Sequence, residues 1–169
     1  LSNHMFLNQY IPLIKKLDKV KYSKLFVKFF RNNSLPKKIW KKKFGNRVTF
    51  LKKSYKGSIF KNYDIVIIDN FSTAFYELLY HKKPFFIICN SNLEEFKTRF
   101  SRLILNLKKI NILFDDELEL AKYLNDNHNL LMSNWLKAVK SKEYKEMRDY
   151  IFPIKQFNNT KFIKLINSI

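Results

Sequence analysis

Residues 63–89, YDIVIIDNFSTAFYELLYHKKPFFIIC, decide the fold of this chain. Residues 64–68 form a nearly continuous aliphatic run, which is typical of a parallel strand buried on both faces, and residues 84–89 repeat that pattern. The residues between the two runs predict a polar turn followed by one short helix. Strand, helix and strand in this order make a βαβ unit, the building block of parallel α/β sheets.

The sequence on either side of this unit extends it at both ends. Before it, residues 24–30 and 47–51 predict two further strands, and a basic helix is expected between them at residues 37–44. After it, apolar residues at intervals of three and four predict a long amphipathic helix. Residues 111–114 then predict a short edge strand, and Asp116 has the position of a helix cap.

Together these elements predict a Rossmann-like α/β domain that covers residues 1–169. Strands alternating with helices favour one parallel sheet with right-handed crossovers, and we expect the strand order 2-1-3-4-5. The last part of the chain predicts packing helices. Trp40 and Trp135 are expected to anchor the packing of apolar side chains.

Polar residues lie at the carboxyl end of the strand at residues 64–68, where open α/β sheets bind their ligands. Asp69 and Asn70 lie in the turn, and Ser72 and Thr73 stand at the start of the helix. Hydroxyl groups and unpaired backbone N–H groups at a helix start bind anions, most often phosphate. We therefore predict a phosphate site in this turn, although Asp69 is equally well explained as a turn-capping residue.

Glu77 extends the predicted site along the helix. It follows Thr73 by four residues, so the two side chains share one helix face and lie about 6 Å apart along the axis. That is roughly the separation between the diphosphate and the ribose hydroxyls of a nucleotide. A carboxylate there would accept hydrogen bonds from the ribose, as acidic residues do in dinucleotide-binding folds.

These helix residues also have a purely structural explanation. Ser72 or Thr73 before a helix is most often an N-cap, whose oxygen satisfies a backbone N–H group. Glu77 can pair with His81 or Lys82 on a solvated helix face. The spacing alone does not separate the two explanations.

Arg31 follows the first strand and adds a cation to the predicted site. In the order 2-1-3 its loop neighbours the Ser72 turn, where an arginine would neutralise a phosphate. The residue is also explained as one more basic side chain in a lysine-rich chain.

The sequence does not support other kinds of site. The three histidines have no metal-ligand spacing, so we expect no metal site, and no catalytic residue is identified. Cys89 is the single cysteine and is expected to be an inert buried thiol in a reducing compartment. No apolar run approaches the roughly 18 to 20 residues that cross a bilayer.

The net charge of +19 is open to three explanations. Lysine, asparagine, isoleucine, phenylalanine and tyrosine are abundant together, as an A/T-rich genome would produce. Lysine clusters such as residues 41–43 and 52–53 also fit an anionic membrane or nucleic acid. The sequence has no helix-turn-helix signature and no zinc spacing, so no specific nucleic acid is expected.

The motifs described above resemble the C-terminal, donor-binding half of GT-B glycosyltransferase-like enzymes. The similarity rests on the strand NYDIVIID, the turn FST, Glu77 and the strand KKPFFII, and it extends over residues 24–151. The chain is most similar to bacterial surface-carbohydrate transferases of the LIC type, and more distantly to CDP-glycerol glycerophosphotransferases. One departure is the pair Asn70 and Phe71, where the family commonly has smaller residues.

This resemblance implies that a nucleotide sugar or CDP-polyol donor binds through Ser72, Thr73 and Glu77, with Arg31 as a phosphate contact and no separate cofactor. It also implies an N-terminal Rossmann-like half that completes the cleft, so the chain by itself should show no turnover. The implied location is cytoplasmic, at the inner face of the membrane. A basic nucleic-acid-binding module and a non-catalytic interaction domain are the alternatives.

Overall fold

The structure is a computed structural model that describes residues 3–27, 34–51, 57–89 and 98–152. It is an α/β fold with short parallel strands and helices of eight to fourteen residues. The described strands are β1 (Leu25–Val27), β2 (Val48–Phe50), β3 (Val66–Ile68), β4 (Phe85–Ile88) and β5 (Leu113–Phe114). The described helices are α1 (Asn3–Lys16), α2 (Ser34–Phe44), α3 (Thr73–Tyr80), α4 (Thr98–Lys109), α5 (Glu117–Asp126), α6 (Leu131–Lys140) and α7 (Lys142–Ile151).

The strands form two parallel sheets. One contains β1 and β2, with Leu25 opposite Val48, and the other has the order β3-β4-β5, with Val66 opposite Phe85. The neighbours expected within each group are present, and the βαβ unit of β3, α3 and β4 is confirmed. We name the two groups the two-stranded part (β1, α2 and β2) and the three-stranded part (β3 to β5 and α3 to α7).

The predicted single sheet with the order 2-1-3-4-5 is wrong, because β1 and β3 do not pair. Side chains join the two strands instead. The ring of Phe26 packs against that of Tyr63, with 5.1 Å between centroids. Leu25 and Ile67 pack against the same apolar cluster. Within the described residues, these side-chain contacts rather than a backbone ladder link β1 to β3 and to Tyr63 just before it.

Alternate residues of β4 enter two different cores. Phe85 and Ile87 pack with α3, α4, α6 and α7, whereas Phe86 and Ile88 pack with α1 and α5. All four side chains are buried, as predicted for a parallel strand between two helical layers. Full burial of one such side chain stabilises the fold by about 1.5–3 kcal/mol.

Trp40 and Trp135 both anchor packing, as predicted. Trp40 is 1% exposed and packs with Ile11, Ile14 and Val48 in a third cluster, between α1 and the two-stranded part. Trp135 is 4% exposed and belongs to the core beneath α3. Helix α1 therefore contributes to two cores at once.

The end of α1 is fastened to the end of α5. The Asn125 side chain accepts from the backbone N–H of Asp18 at 2.9 Å and donates to the carbonyl of Lys16 at 2.9 Å. The Tyr22 hydroxyl donates to the carbonyl of Leu124 at 2.8 Å. At the other end of α5, the carboxylate of Asp116 accepts from two backbone N–H groups, so the predicted helix cap is confirmed.

Helices α3 and α4 end in the same way. The N–H of Lys83 donates to the carbonyl of Leu78 at 3.1 Å, and Lys82 has a positive φ of 51°. After α4, Ile112 and Asn111 repeat this arrangement, with a φ of 54° at Asn111. Both turns are Schellman motifs, in which the left-handed position usually holds glycine. Each turn leads the chain directly into the next strand of the three-stranded sheet.

Two side chains from the last helices hold the end of α3. The indole N–H of Trp135 donates to the carbonyl of Lys82 at 3.2 Å. The hydroxyl of Tyr144 donates to the carbonyl of Leu79 at 3.3 Å, and burial raises the pKa of Tyr144 above its ordinary value. These contacts fix the direction of the helix that carries the predicted phosphate site.

Candidate functional site

The helix α3 begins at the carboxyl end of β3, as the sequence predicts. Ser72 takes the N-cap position with extended backbone angles, φ −90° and ψ −174°, and its carbonyl accepts from the N–H of Phe75 at 2.9 Å. Its hydroxyl makes no capping hydrogen bond. Ser72 and Thr73 are both exposed. The backbone position of the N-cap alternative is therefore present, but its side-chain hydrogen bond is missing.

Glu77 lies one turn further along α3 and is half-buried. Its Oε2 atom is shielded from solvent and has no hydrogen-bond partner among the described residues. The side chains of His81 and Lys82 form no ion pair with it in the part of the chain that the structure describes. A buried carboxylate oxygen without a partner is costly, and such atoms are rare in folded proteins. The Oε2 atom is therefore, within the described part of the chain, an unsatisfied acceptor one helix turn from Thr73.

Asp69 is engaged from two directions. The side-chain amide of Asn70 donates to its Oδ1 atom at 2.9 Å. The hydroxyl of Tyr10, on α1, lies close enough to the same carboxylate for its negative charge to act on the phenol. Burial and the negative charge of Asp69 raise the pKa of Tyr10 far above its ordinary value, so the phenol stays protonated and able to donate. The turn-capping alternative for Asp69 stays open.

Tyr10 is a residue of this edge that the sequence did not reveal. Cys89 and Glu117 are also close enough to act on its ionisation. Asp69 follows β3, Cys89 follows β4 and Glu117 comes after β5. The carboxyl ends of the three strands therefore lie near Tyr10 of α1. The only local signal was the helical spacing of Tyr10 with its apolar neighbours, which indicates packing rather than contact with Asp69.

The ring of Phe71 packs against neighbouring aromatic rings rather than at the predicted phosphate position. It packs against Phe75 and Phe100, with ring centroids 5.0 and 5.3 Å apart, and belongs to the core beneath α3. A large residue at this place in the turn is therefore an anchor for the turn. The side chain does not take up the space in front of Ser72.

Arg31 lies outside the described residues, so its contact with a phosphate stays a prediction. The argument that placed it near Ser72 used the strand order 2-1-3. Since β1 and β3 do not pair, that argument no longer holds.

Two cavities lie away from the predicted residues. One of about 360 Å³ lies between α1 and α5 and is lined by Lys16, Lys122 and Asn125 among others. The other, about 190 Å³, lies at the amino ends of β3 and β4 beside Ile65 and Phe86. The second is smaller than the roughly 300–1,000 Å³ typical of ligand pockets. The polar residues of the predicted site lie instead at the carboxyl edge of the three-stranded sheet.

Two further kinds of feature are absent from the described ranges. No three side chains of His, Cys, Asp or Glu are grouped there in a way that would hold a metal ion. None of the helices within those ranges is long and apolar enough to cross a bilayer.

Comparison with known proteins gives one result. A family model described as LIC12162 family transferase matches residues 2–151. Neither the curated proteins nor the solved structures give a match.

Proposed function

The chain belongs to the LIC12162 family of transferases, and from this premise we propose that the carboxyl edge of its three-stranded sheet binds a nucleotide-activated donor. The observation that carries the proposal is the shielded Oε2 atom of Glu77, which lacks a partner among the described residues. Unpartnered buried polar atoms are rare in folded proteins, so this one calls for an explanation, and a hydroxyl of a bound donor supplies one.

The donor would lie along the first turns of α3. Its diphosphate would contact the hydroxyls of Ser72 and Thr73 and the backbone N–H groups at the start of the helix, where the helix dipole favours negative charge. Glu77 would accept from the ribose hydroxyls about 6 Å further along the axis. Asp69 and Asn70, which hold each other, would border the phosphate position.

The transferred group would be a sugar or a polyol phosphate for bacterial surface carbohydrate. We place Arg31 on the phosphates, on the strength of the family resemblance alone. Charge on the departing diphosphate would be stabilised by positioned dipoles and cations. The family resemblance implies an N-terminal half that completes the cleft, and the 169-residue chain should therefore bind donor weakly and show no turnover.

Titration calorimetry of Glu77→Gln tests the proposal. A panel of nucleotide sugars and CDP-glycerol first identifies a donor by thermal shift, since a ligand at 100 times its Kd stabilises by about 2.7 kcal/mol. Glu77→Gln should then weaken its binding by about 1–3 kcal/mol through loss of charge-assisted hydrogen bonds. The free energy of unfolding should stay unchanged or rise, because the substitution removes an unpaired charge.

Glu119→Gln is the matched control, since Glu119 is an exposed glutamate on α5. It should leave donor affinity unchanged. If Glu77→Gln lowers stability and binds donor as the parent does, Glu77 is structural and the proposed site is wrong.

A further inference from the structure

The positive charge of this chain is concentrated in one segment. Residues 19–63 contain fifteen Lys and Arg and no Asp or Glu, so that they contribute +15 of the net charge of +19. The rest of the chain is close to balanced. Genomic composition alone would spread lysine along the whole chain, and it does not explain an acid-free segment of 45 residues.

Helix α2 displays this charge on its outer surface. Trp40 points inward and is 1% exposed, whereas Lys38, Lys41, Lys42 and Lys43 are all exposed. Every ion pair found in the described residues has its cation in α4 or α7. The four lysines of α2 are therefore uncompensated by neighbouring carboxylates.

Apolar side chains are exposed among these lysines. Ile39 is 40% exposed on α2, and Val20, between Lys19 and Lys21, is 89% exposed. Arg47 lies three residues after the end of α2 and donates to the carbonyls on both sides of the Val20 turn, at Leu17 and Tyr22. The guanidinium therefore fixes this Lys-Val-Lys turn next to the end of the basic helix.

We propose that the outer face of α2, together with the Val20 turn, docks on an anionic lipid bilayer. Lysines attract the negatively charged headgroups, and exposed apolar side chains beside them enter the acyl boundary. A nucleic-acid backbone offers charge complementarity to the lysines but nothing to Ile39 and Val20. The inference is independent of the donor site, since none of its residues belongs to α3 or to the carboxyl edge.

Vesicle co-sedimentation of the full chain tests the docking surface. Parent protein should pellet with phosphatidylcholine vesicles that contain phosphatidylglycerol and stay in the supernatant with phosphatidylcholine alone. The triple variant Lys38→Gln, Lys41→Gln, Lys42→Gln should bind the anionic vesicles roughly 100-fold more weakly, because each lysine near such a surface contributes about fivefold. Binding of the parent should also fall as salt is added.

A second triple variant with the same loss of charge separates this surface from the net charge. Lys137→Gln, Lys140→Gln, Lys145→Gln removes three exposed lysines of α6 and α7. It should weaken binding by no more than a few-fold, and Ile39→Asn should weaken it with no change in charge. All the variants lie on exposed positions, so their circular dichroism should match that of the parent.

Three results would overturn the proposal. Equal losses in the two triple variants would mean that only net charge matters. If the parent protein does not pellet with anionic vesicles, genomic composition remains the explanation of the lysines. Binding to a random-sequence RNA that depends on Lys38, Lys41 and Lys42, without vesicle binding, would identify the surface as a nucleic-acid interface.

Discussion

The two sheets of this protein are buried to different extents. In the three-stranded part, β4 has apolar clusters on both faces and all four of its residues are buried. In the two-stranded part, the register partners Phe26 and Thr49 are both exposed, and burial comes from the other face around Trp40. The doubly covered sheet carries the candidate donor edge. The half-covered one lies within residues 19–63, the acid-free segment that contributes +15 of the net charge of +19, so the two proposed roles lie on separate parts of the chain.

The two parts also differ in how polar contacts stabilise them. The surface of the three-stranded part contains ion pairs between helices, such as Lys109 with Glu143. The two-stranded part is instead tied to α1 by Arg47, which donates to the carbonyls of Ile14, Leu17 and Tyr22 at 2.9–3.1 Å. Burial lowers the pKa of Arg47, yet arginine stays charged in proteins. One cation therefore satisfies the carbonyl of Ile14 in the last turn of α1 and that of Leu17 just beyond it.

Replacement of the two tryptophans should give the largest loss of stability, and it tests whether the two-stranded and three-stranded parts are separate units. Trp40→Ala and Trp135→Ala should each cost about 3–5 kcal/mol, as large buried truncations do. With Trp40→Ala, hydrogen exchange should accelerate first in α2 and β2, while the amides of β4 keep their protection. Trp135→Ala should instead accelerate hydrogen exchange first in β4 and α3. If both variants accelerate exchange equally everywhere, the two parts form one cooperative unit and the distinction is wrong.

Arg47→Lys should have an intermediate effect and sharpens the comparison. Lysine cannot reproduce a planar fork that reaches several carbonyls, so we expect a loss of about 1.5–3 kcal/mol in urea unfolding. Arg102→Lys is the control, since Arg102 is 72% exposed and its distance to Glu146 is 3.7 Å. It should change stability by less than about 0.5 kcal/mol. Both substitutions keep the positive charge. If Arg47→Lys lowers the free energy of unfolding as little as Arg102→Lys does, Arg47 acts through its charge and not through the shape of its guanidinium.

The pH dependence of the Lys109–Glu143 pair should be the smallest effect. The hydrogen bond from Lys109 lowers the pKa of Glu143 below its ordinary value of 4.5. The unfolded chain therefore binds this proton more readily, so the contribution is present above pH 4.5 and is lost as the pH falls through the lower, folded-state pKa. When the free energy of unfolding is measured against pH, Glu143→Gln should reduce its fall below pH 4.5. Added salt should do the same. An unchanged acid slope would contradict the contribution of the pair.

The features that could be predicted from the sequence are those that depend on neighbouring residues. The aliphatic runs gave β3 and β4, and the Asp116 cap gave the start of α5, because burial pattern and capping chemistry are local. Whether β1 pairs with β3, and whether Tyr10 lies near Asp69, depends on residues far apart in the chain. No local pattern encodes such contacts. Lys82 in a left-handed conformation was equally hidden, since glycine is the usual signal for that turn.

The fastening of α1 to α5 has a consequence for how the chain folds during synthesis. Helix α1 emerges from the ribosome early, but Asn125, which holds its end, lies 107 residues after Asp18. At about 5–20 residues per second, α1 waits roughly 5 to 20 s for that partner. During this interval the apolar cluster around Leu13 and Leu17 lacks the side chains that α5 contributes to it, Leu120, Ala121 and Leu124. We therefore expect α1 to reach its final position only after α5 has been synthesised.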